Sequence, residues 1–417
     1  MFTCYRKNST EKAYQYLCGL IQADKRNMER MEEQVAGSDY YQLQHFLSES
    51  PWPSRPVFDK IAHDADQLLG DYPHMGLLID ESAFAKKGKD SAGVARQYNG
   101  RLGKVENSQV AVFGALCAGD QATLIDAELY LPECRINDRR HCEKIHIPPE
   151  RMKHKSKLEL ALEIVFRQRK AGIRFAYVCA DGLYGNSFDF CRKLDDANEK
   201  FLVHIHSNLK VFTKNPQMGP AAESVRVDEI ARQVQDKSYE RVIVRDSTNG
   251  KLLVDAWRKE VWLPDESSSG YRSWILFVRR DIDGEIKYCL SNLSMKIPLR
   301  QMALMESQRF WIERSFENGK SEVGMADYQV RTWQGWHHHM ALVMLAMLFM
   351  MKQRMICRDS APLLSCRDIR VMLEHFLPKK AVSAHEVIEQ INARHRRRKK
   401  AIISKTKMQA QRLGNFP

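Results

Sequence analysis

"RFWIERSFENGK", residues 309–320, is the stretch on which the reading of this chain turns. Arg309, Glu313, Glu317 and Lys320 recur at steps of four, four and three. On an α-helix of about 3.6 residues per turn they share one face. Phe310 and Phe316 lie off that stripe and are expected to face a core. One account is a solvated face with i,i+4 pairs, each worth roughly a few tenths of a kcal/mol. The other is a carboxylate between cations that hold a polyanion. The remainder of the chain has to separate them.

The chain has 417 residues, 44% of them hydrophobic, and a net charge of +13. That length allows a large core and two or three domains, and that composition excludes a disordered chain. The basic excess favours anionic partners, nucleic acid before an acidic membrane surface. Ten cysteines occur without a CxxC pair. Cys134, His141, Cys142 and His146 cluster, but their spacing fits no common zinc pattern, so free thiols are expected. "MFTCYRKNST" has no apolar core and does not read as a signal peptide. The longest apolar run, Met340 to Met351, is shorter than the roughly 20 residues a membrane span needs and reads as a helix buried on both sides.

Residues 1–70 read as a helical N-terminal domain, with Gly37 as a stop and Ser38 or Asp39 as an N-cap. "PWPSRP" (51–56) reads as a linker. From about residue 75, "MGLLIDESAF", "SQVAVFGALCAG" and "ATLIDAELYLP" are β-like runs. "SKLELALEIVFRQRKAG" is a periodic helix, "IRFAYVCADGLYG" another buried strand, and "SFDFCRKLDDANEK" a helix. Three strands followed by an α/β crossover predict a mixed-sheet α/β layer fold. Residues 201–294 form a β-rich insertion, with hairpin turns at Asn249-Gly250 and Asp283-Gly284. The layer resumes over 295–355. A basic region, 356–417, ends the chain. Between 391 and 417 it has nine Lys/Arg and no Asp/Glu. "RHRRRKK", with Arg396, Arg397 and Arg398, is read as contacting phosphates.

Two acids close apolar strands: Asp80 in "GLLID" and Asp181 after "AYVCA". Such acids are costly unless something satisfies them. With a third acid on a later helix they suit hard divalent cations, Mg²⁺ or Mn²⁺. Two such ions about 3.5–4 Å apart can activate an attacking oxygen and stabilise a leaving one in phosphodiester chemistry. The acid pattern alone is weak, since 52 acids allow many chance triples. Glu81 would point to the strand face opposite Asp80. Lys86, Lys87 and Lys89 follow in a basic loop, which is either a solvated turn or a phosphate contact.

The ordered set Asp80 in "LLIDES", Asp181 in "VCADGLYG" and Glu313 in "RFWIERSFENGK" resembles the DDE transposases of bacterial insertion sequences. It is most similar to the cut-and-paste group whose third motif reads Y-x-x-R-x-x-x-E-x-x-x-x-x-x-K. Arg309, Glu313 and Lys320 fall on R, E and K, and Phe310 and Ile312 match residues frequent in the group. Glu306 stands in the tyrosine slot, a departure. "DYYQLQHFLSESPW" and "VARQYNGRLGKVENSQVAV" are similar to one branch, the seven-hundred-one insertion-sequence family.

The resemblance implies an RNase H-like fold, a mixed five-stranded sheet flanked by helices with a β insertion between Asp181 and Glu313. It implies Asp80, Asp181 and Glu313 as catalytic metal ligands for two Mg²⁺ ions, for which Mn²⁺ can substitute. Arg309 and Lys320, with Arg314 beside them, would hold the DNA backbone, and Glu317 is the rival third acid. Double-stranded DNA, a homodimer holding two element ends, and a cytoplasmic, nucleoid-associated location are the implied setting. A catalytically silent DNA-binding derivative and a nuclease that only hydrolyses are the alternatives.

Other residues admit two readings each. Trp257, Trp262 and Trp274 in the insertion are packing residues or base-stacking platforms. Consecutive histidines 337–339 point about 100° apart on a helix, cannot easily share one metal ion, and are expected near DNA or at a helix N-terminal surface. Tyr184 supports the acidic site or packs.

Overall fold

The computed structural model describes all residues other than 1, 5–6, 71, 101, 219–222, 248–249, 266, 269 and 414–417. Helices α1 (Thr10–Gln22), α2 (Met28–Gln34), α3 (Tyr40–Ser48) and α4 (Arg55–Leu69) open it. Asp39 is the N-cap of α3, accepting from Gln42 N at 2.9 Å, so of the two candidates the later one caps.

The first half of the sheet is β1 (Gly76–Ala85), β2 (Ala95–Asn99), β3 (Lys104–Ala118) and β4 (Gln121–Leu129). Helix α5 (Lys157–Lys170) follows, started by a capping box between Ser156 and Glu159 that satisfies two otherwise unpaired N–H groups. Then come β5 (Tyr177–Ala180), the single turn α6 (Gly182–Gly185), α7 (Phe188–Asp196) and β6 (Phe201–Ile205). Strands β7 (Glu240–Ser247), β8 (Gly250–Asp265), β9 (Gly270–Asp281) and β10 (Ile286–Ser291) form a meander. Helices α8 (Leu299–Ser307), α9 (Phe310–Glu322), α10 (Trp333–Ile356), α11 (Cys366–Phe376) and α12 (Ala384–Leu413) complete the chain.

These ten strands form one mixed sheet, ordered β7-β8-β9-β10-β6-β5-β1-β3-β2, with β4 also on β3. Strand β5 runs parallel to both β1 and β6, and the other neighbours are antiparallel. The resemblance implies a five-stranded sheet interrupted by a β-rich insertion. Instead β10 pairs with β6, so the meander extends the main sheet, and residues 201–205 lie in its middle. The polar strand "ARQYN" carries no apolar alternation and was not foreseen; it pairs on β3 as an edge. The turn at Asp283-Gly284 is present, with Gly284 at φ +92°, where a side chain would be strained. Asn249 lies outside the described residues.

The N-terminal helices share one hydrophobic core with the sheet and α10. The segment "PWPSRP" is therefore no free linker. Trp52 is fully buried, donates its ring N–H to Phe46 O at 3.0 Å, and stacks on His338 at 3.6 Å. The apolar run is the middle of a 24-residue helix, α10. By length and composition α10 could cross a membrane, but here it lies inside the body, buried on both sides as expected.

The three consecutive histidines are also inside, not on a DNA-facing surface. His337 Nδ1 meets Trp333 O, His338 lies between Leu47 O and Trp52 O, and His339 Nδ1 meets Tyr16 OH. A second tie joins α4 to the sheet. Asp126 and Glu128 of β4 are buried, and Arg55 and Arg167 each pair with both. Buried acids require such partners.

Candidate active site

The apolar half of β1, Gly76 to Ile79, pairs in parallel with Tyr177 to Ala180 of β5. One step further along that register, where β5 ends, Asp80 stands beside Asp181. Asp181 also caps the turn α6, accepting from Leu183 N at 3.0 Å. Helix α9 brings the third acid. Arg309, at its N-cap, reaches Asp80 Oδ2 with Nη1 at 3.3 Å and binds Glu313 through its other terminal nitrogen. One guanidinium thus joins the strand acid to the helix acid. The rival acid, Glu317, pairs instead with Arg314 at 2.6 Å.

Burial pushes the Asp80 carboxyl up to about 7, with Arg309 working against it and Asp181 and Glu81 adding to it. Burial raises Asp181 too, and the charge of Glu81 raises it further. The two strand acids therefore sit in a place short of positive charge. Glu313 is half-exposed. Carboxylate oxygens suit a hard divalent cation, but here the three do not all lie within 4.8 Å of one another, and the Arg309 guanidinium stands between Asp80 and Glu313.

Glu81 has partners that are not legible in the sequence. Lys157 at the start of α5 donates to its Oε1 at 2.8 Å, and Tyr184 OH donates to its Oε2 at 3.0 Å. Tyr184 is fully buried and lies three residues after Asp181. It both packs and supports, since the Glu81–Tyr184 bond clasps β1 to α6 just beyond the last paired residues of the ladder.

The other singled-out residues fall into two groups. Lys87 and Lys89 are exposed on the loop after β1. Lys86 is not: its ammonium lies over the Tyr328 ring at 3.3 Å, and burial lowers it to about 7. Lys320 is near the rings of Phe84 and Phe316 at 5.5 and 5.9 Å. Phe316 is buried, whereas Phe310 is exposed and carries Arg245 over its ring at 3.8 Å. Trp274 is buried, with its N–H on Asp195 at 3.1 Å, so it has no face for a base. Trp257 and Trp262 are half-buried. Arg396 and Arg398 are exposed, but Arg397 pairs with Glu32 at 2.9 Å and lies over Tyr40. In the Cys134 cluster, Cys142 is buried with its thiol toward Arg135 O, and Cys134 is exposed.

A polar cavity of about 570 Å³ opens beside Glu313 and Arg309. Arg245, Arg279, Lys287 and His204 also line it. Glu306, in the tyrosine slot, is on its wall. It is buried and binds Arg279 Nη1 at 2.7 Å and His204 Nε2 at 3.0 Å. Burial works to raise Glu306, but His204 and Arg279 more than offset it and hold the carboxyl at about 2. Sequence reasoning noted the odd residue but not its partners. The only available signal was an acid inside the otherwise apolar stretch "QMALMES".

Residues 1–262 match the family model of the DDE superfamily endonucleases. The matched part contains Asp80 and Asp181 and stops before Glu313. A protein of Microchaete diplosiphon described as a probable transposase for insertion sequence element IS701 is 28% identical over 325 residues, 76% of this chain and 77% of the relative. With more than half its length under one family model, and with strand acids in register at the end of a mixed sheet, the chain belongs to the DDE superfamily of endonucleases.

Proposed function

We propose that this protein is a DNA transposase that cuts the ends of an insertion sequence and joins them to target DNA, with Asp80, Asp181 and Glu313 as its catalytic acids. The observation that carries the reading is the bridge at the sheet end, in which Arg309 links Asp80 to Glu313 while Asp181 flanks Asp80 in the β1–β5 register. The name and extent of the IS701 relative support it. The strand order β4-β3-β1-β5-β6, antiparallel on one side and parallel on the other, agrees with an RNase H-like core.

Held by the three acids, two Mg²⁺ ions, or Mn²⁺ in their place, would activate the attacking oxygen and stabilise the leaving one. Arg309 is the neutralising partner of the acids in the metal-free protein and the group best placed to turn onto a phosphate. Its planar guanidinium can hold one by two hydrogen bonds. Arg245 and Lys287 on the cavity wall would give the DNA backbone a place beside Glu313. Water opens the strand at the element end, and the freed 3′ hydroxyl attacks target DNA. Lys87, Lys89, Arg396, Arg398 and the lysines of α12 supply outlying phosphate contacts, and two copies would hold two ends.

The test is single-turnover cleavage and joining on element-end DNA with Mg²⁺ or Mn²⁺. Asp80→Ala, Asp181→Ala and Glu313→Ala should each abolish cutting and leave end binding largely intact, while Glu317→Ala cuts normally. Loss of cutting in Glu317→Ala with Glu313→Ala intact would move the third acid by one helical turn. Cutting without joining would make the protein a nuclease, and end binding without cutting a silent derivative.

A further inference from the structure

We propose that His204, Cys289 and Glu306 form a second metal site, selective for a soft or borderline cation such as Zn²⁺, distinct from the three acids and open to the cavity beside them. It stands independently of the cleavage reading. His204 on β6 and Cys289 on β10 are direct partners in the antiparallel ladder, so their side chains stand next to each other on one face of the sheet. Helix α8 brings Glu306 over that face. The three donor atoms lie within 4.8 Å of one another, and among the described residues this is the group of His, Cys, Asp or Glu side chains that close together.

The details suit a metal better than an ion pair alone. His204 Nε2 is buried, and its contact is Glu306 Oε1 at 3.0 Å. The other carboxylate oxygen, Oε2, takes Arg279, as the outer oxygen of a metal-bound carboxylate commonly takes a second partner. Arg279 is itself balanced by Asp281 at 2.6 Å. A divalent ion bound by one carboxylate, one thiolate and one neutral imidazole leaves the cluster electrically neutral. Binding forms the metal–sulfur bond and releases the thiol proton to solvent through the cavity. Nitrogen, sulfur and oxygen donors select zinc or cobalt, whereas the all-oxygen set at Asp80 selects magnesium or manganese. The three protein ligands leave a fourth position facing the cavity that His204, Glu306, Arg309 and Glu313 all line.

The experiment uses Co²⁺ as the probe, added to the full chain stripped by a chelator and held in excess Mg²⁺ to fill the all-oxygen set. One Co²⁺ per chain should bind, with a thiolate-to-cobalt charge-transfer band and the visible intensity of a four-coordinate ion, and Zn²⁺ should bleach both. Cys289→Ser should abolish the charge-transfer band, and His204→Gln should weaken binding at least tenfold. Asp80→Asn with Asp181→Asn should change neither. Circular dichroism identifies any variant that has not folded; if Glu306→Gln is one, the near-isosteric Cys289→Ser still decides. No charge-transfer band in the folded wild type, or a band that survives Cys289→Ser, overturns the proposal. A Co²⁺ signal lost in the Asp80/Asp181 variant also overturns it, by placing the ion at the acids.

Discussion

The three buried histidines of α10 make a quantitative prediction about acid lability. His337, His338 and His339 are 7%, 1% and 0% exposed. Burial lowers them to about 3, 4 and 3 from an ordinary 6.5. They are neutral when folded, while the unfolded chain binds protons at each of them below about 6.5. Stability is therefore fully present above that value and falls as pH drops toward the folded values. Each histidine removes about 1.4 kcal/mol per pH unit, so the three together remove about 4. Between pH 6.5 and 5 the loss is roughly 5 kcal/mol, since each histidine is already half protonated in the unfolded chain at 6.5. With an unfolding entropy of about 2.1 cal/mol/K per residue, that lowers Tm by about 6 °C.

Asp80, pushed up to about 7, and Asp181, also raised, work in the opposite direction in the metal-free protein. The measurement is therefore made in an Asp80→Asn/Asp181→Asn background, by denaturant titration at closely spaced pH values from 7 to 5. His339→Gln can keep a hydrogen bond to Tyr16 but cannot titrate in this range. It should cut the slope by one third, whatever it does to stability at pH 7. A slope below about 1.5 kcal/mol per unit, or one that His339→Gln leaves unchanged, refutes the reasoning.

Three further outcomes follow from the site and its surroundings. In metal-free protein Asp80→Asn should gain nothing over wild type near pH 4 and as much as about 4 kcal/mol at pH 8, because the folded value lies above the unfolded one and the penalty accumulates across that window; saturating Mn²⁺ should stabilise only the wild type, as paired melting curves would show. Tyr184→Phe should raise the Mn²⁺ concentration needed for half-maximal cutting several-fold, and Glu81→Gln, which can still accept from Tyr184, should do so less; equal effects on melting with no change in metal dependence would make the clasp purely structural. Removing residues 399–417 spares Arg394 and Arg397, which pair with Glu33 and Glu32. It should flatten the log–log salt dependence of DNA binding by about 0.9 for each of Lys399, Lys400, Lys405 and Lys407 that touches a phosphate; an unchanged slope would leave the part of α12 beyond Arg398 without a DNA role.

What could be read from the sequence was local. "LLID" and "VCAD" show apolar strands meeting an acid, and the spacing of Arg309, Glu313 and Lys320 is a property of one helix. The strand runs, the cap at Asp39 and the buried nature of Met340–Met351 come from the same short-range signals. What could not be read depends on partners far away in the chain. "PWPSRP" has the composition of a linker, yet Trp52 is fixed by His338, almost three hundred residues on. Trp274 looks like any hairpin tryptophan until Asp195 takes its N–H. Lys86 belongs to a basic run, but the ring of Tyr328 covers its charge. The neighbours of residues 201–205 were hidden for the same reason: β6 pairs with both β5 and β10, and nothing in "FLVHI" says on which side they lie.

Glu306 shows why a departure from a motif is best judged by its surroundings. A tyrosine at that position would bring a neutral hydroxyl to the cavity wall, and it could be buried with one hydrogen bond. A carboxylate there is costly without compensating charge. The compensation comes from elsewhere in the sheet: Arg279 on β9, in the meander, and His204 on β6, in the middle of the sheet. The substitution therefore couples α8, and through it the start of α9 with Arg309, to the meander that the sequence suggested was a separate insertion. A change at Arg279 or His204 should be felt at the α8–α9 junction even though neither residue is one of the three acids. In this chain the meander is part of the frame that sets where Arg309 and Glu313 stand.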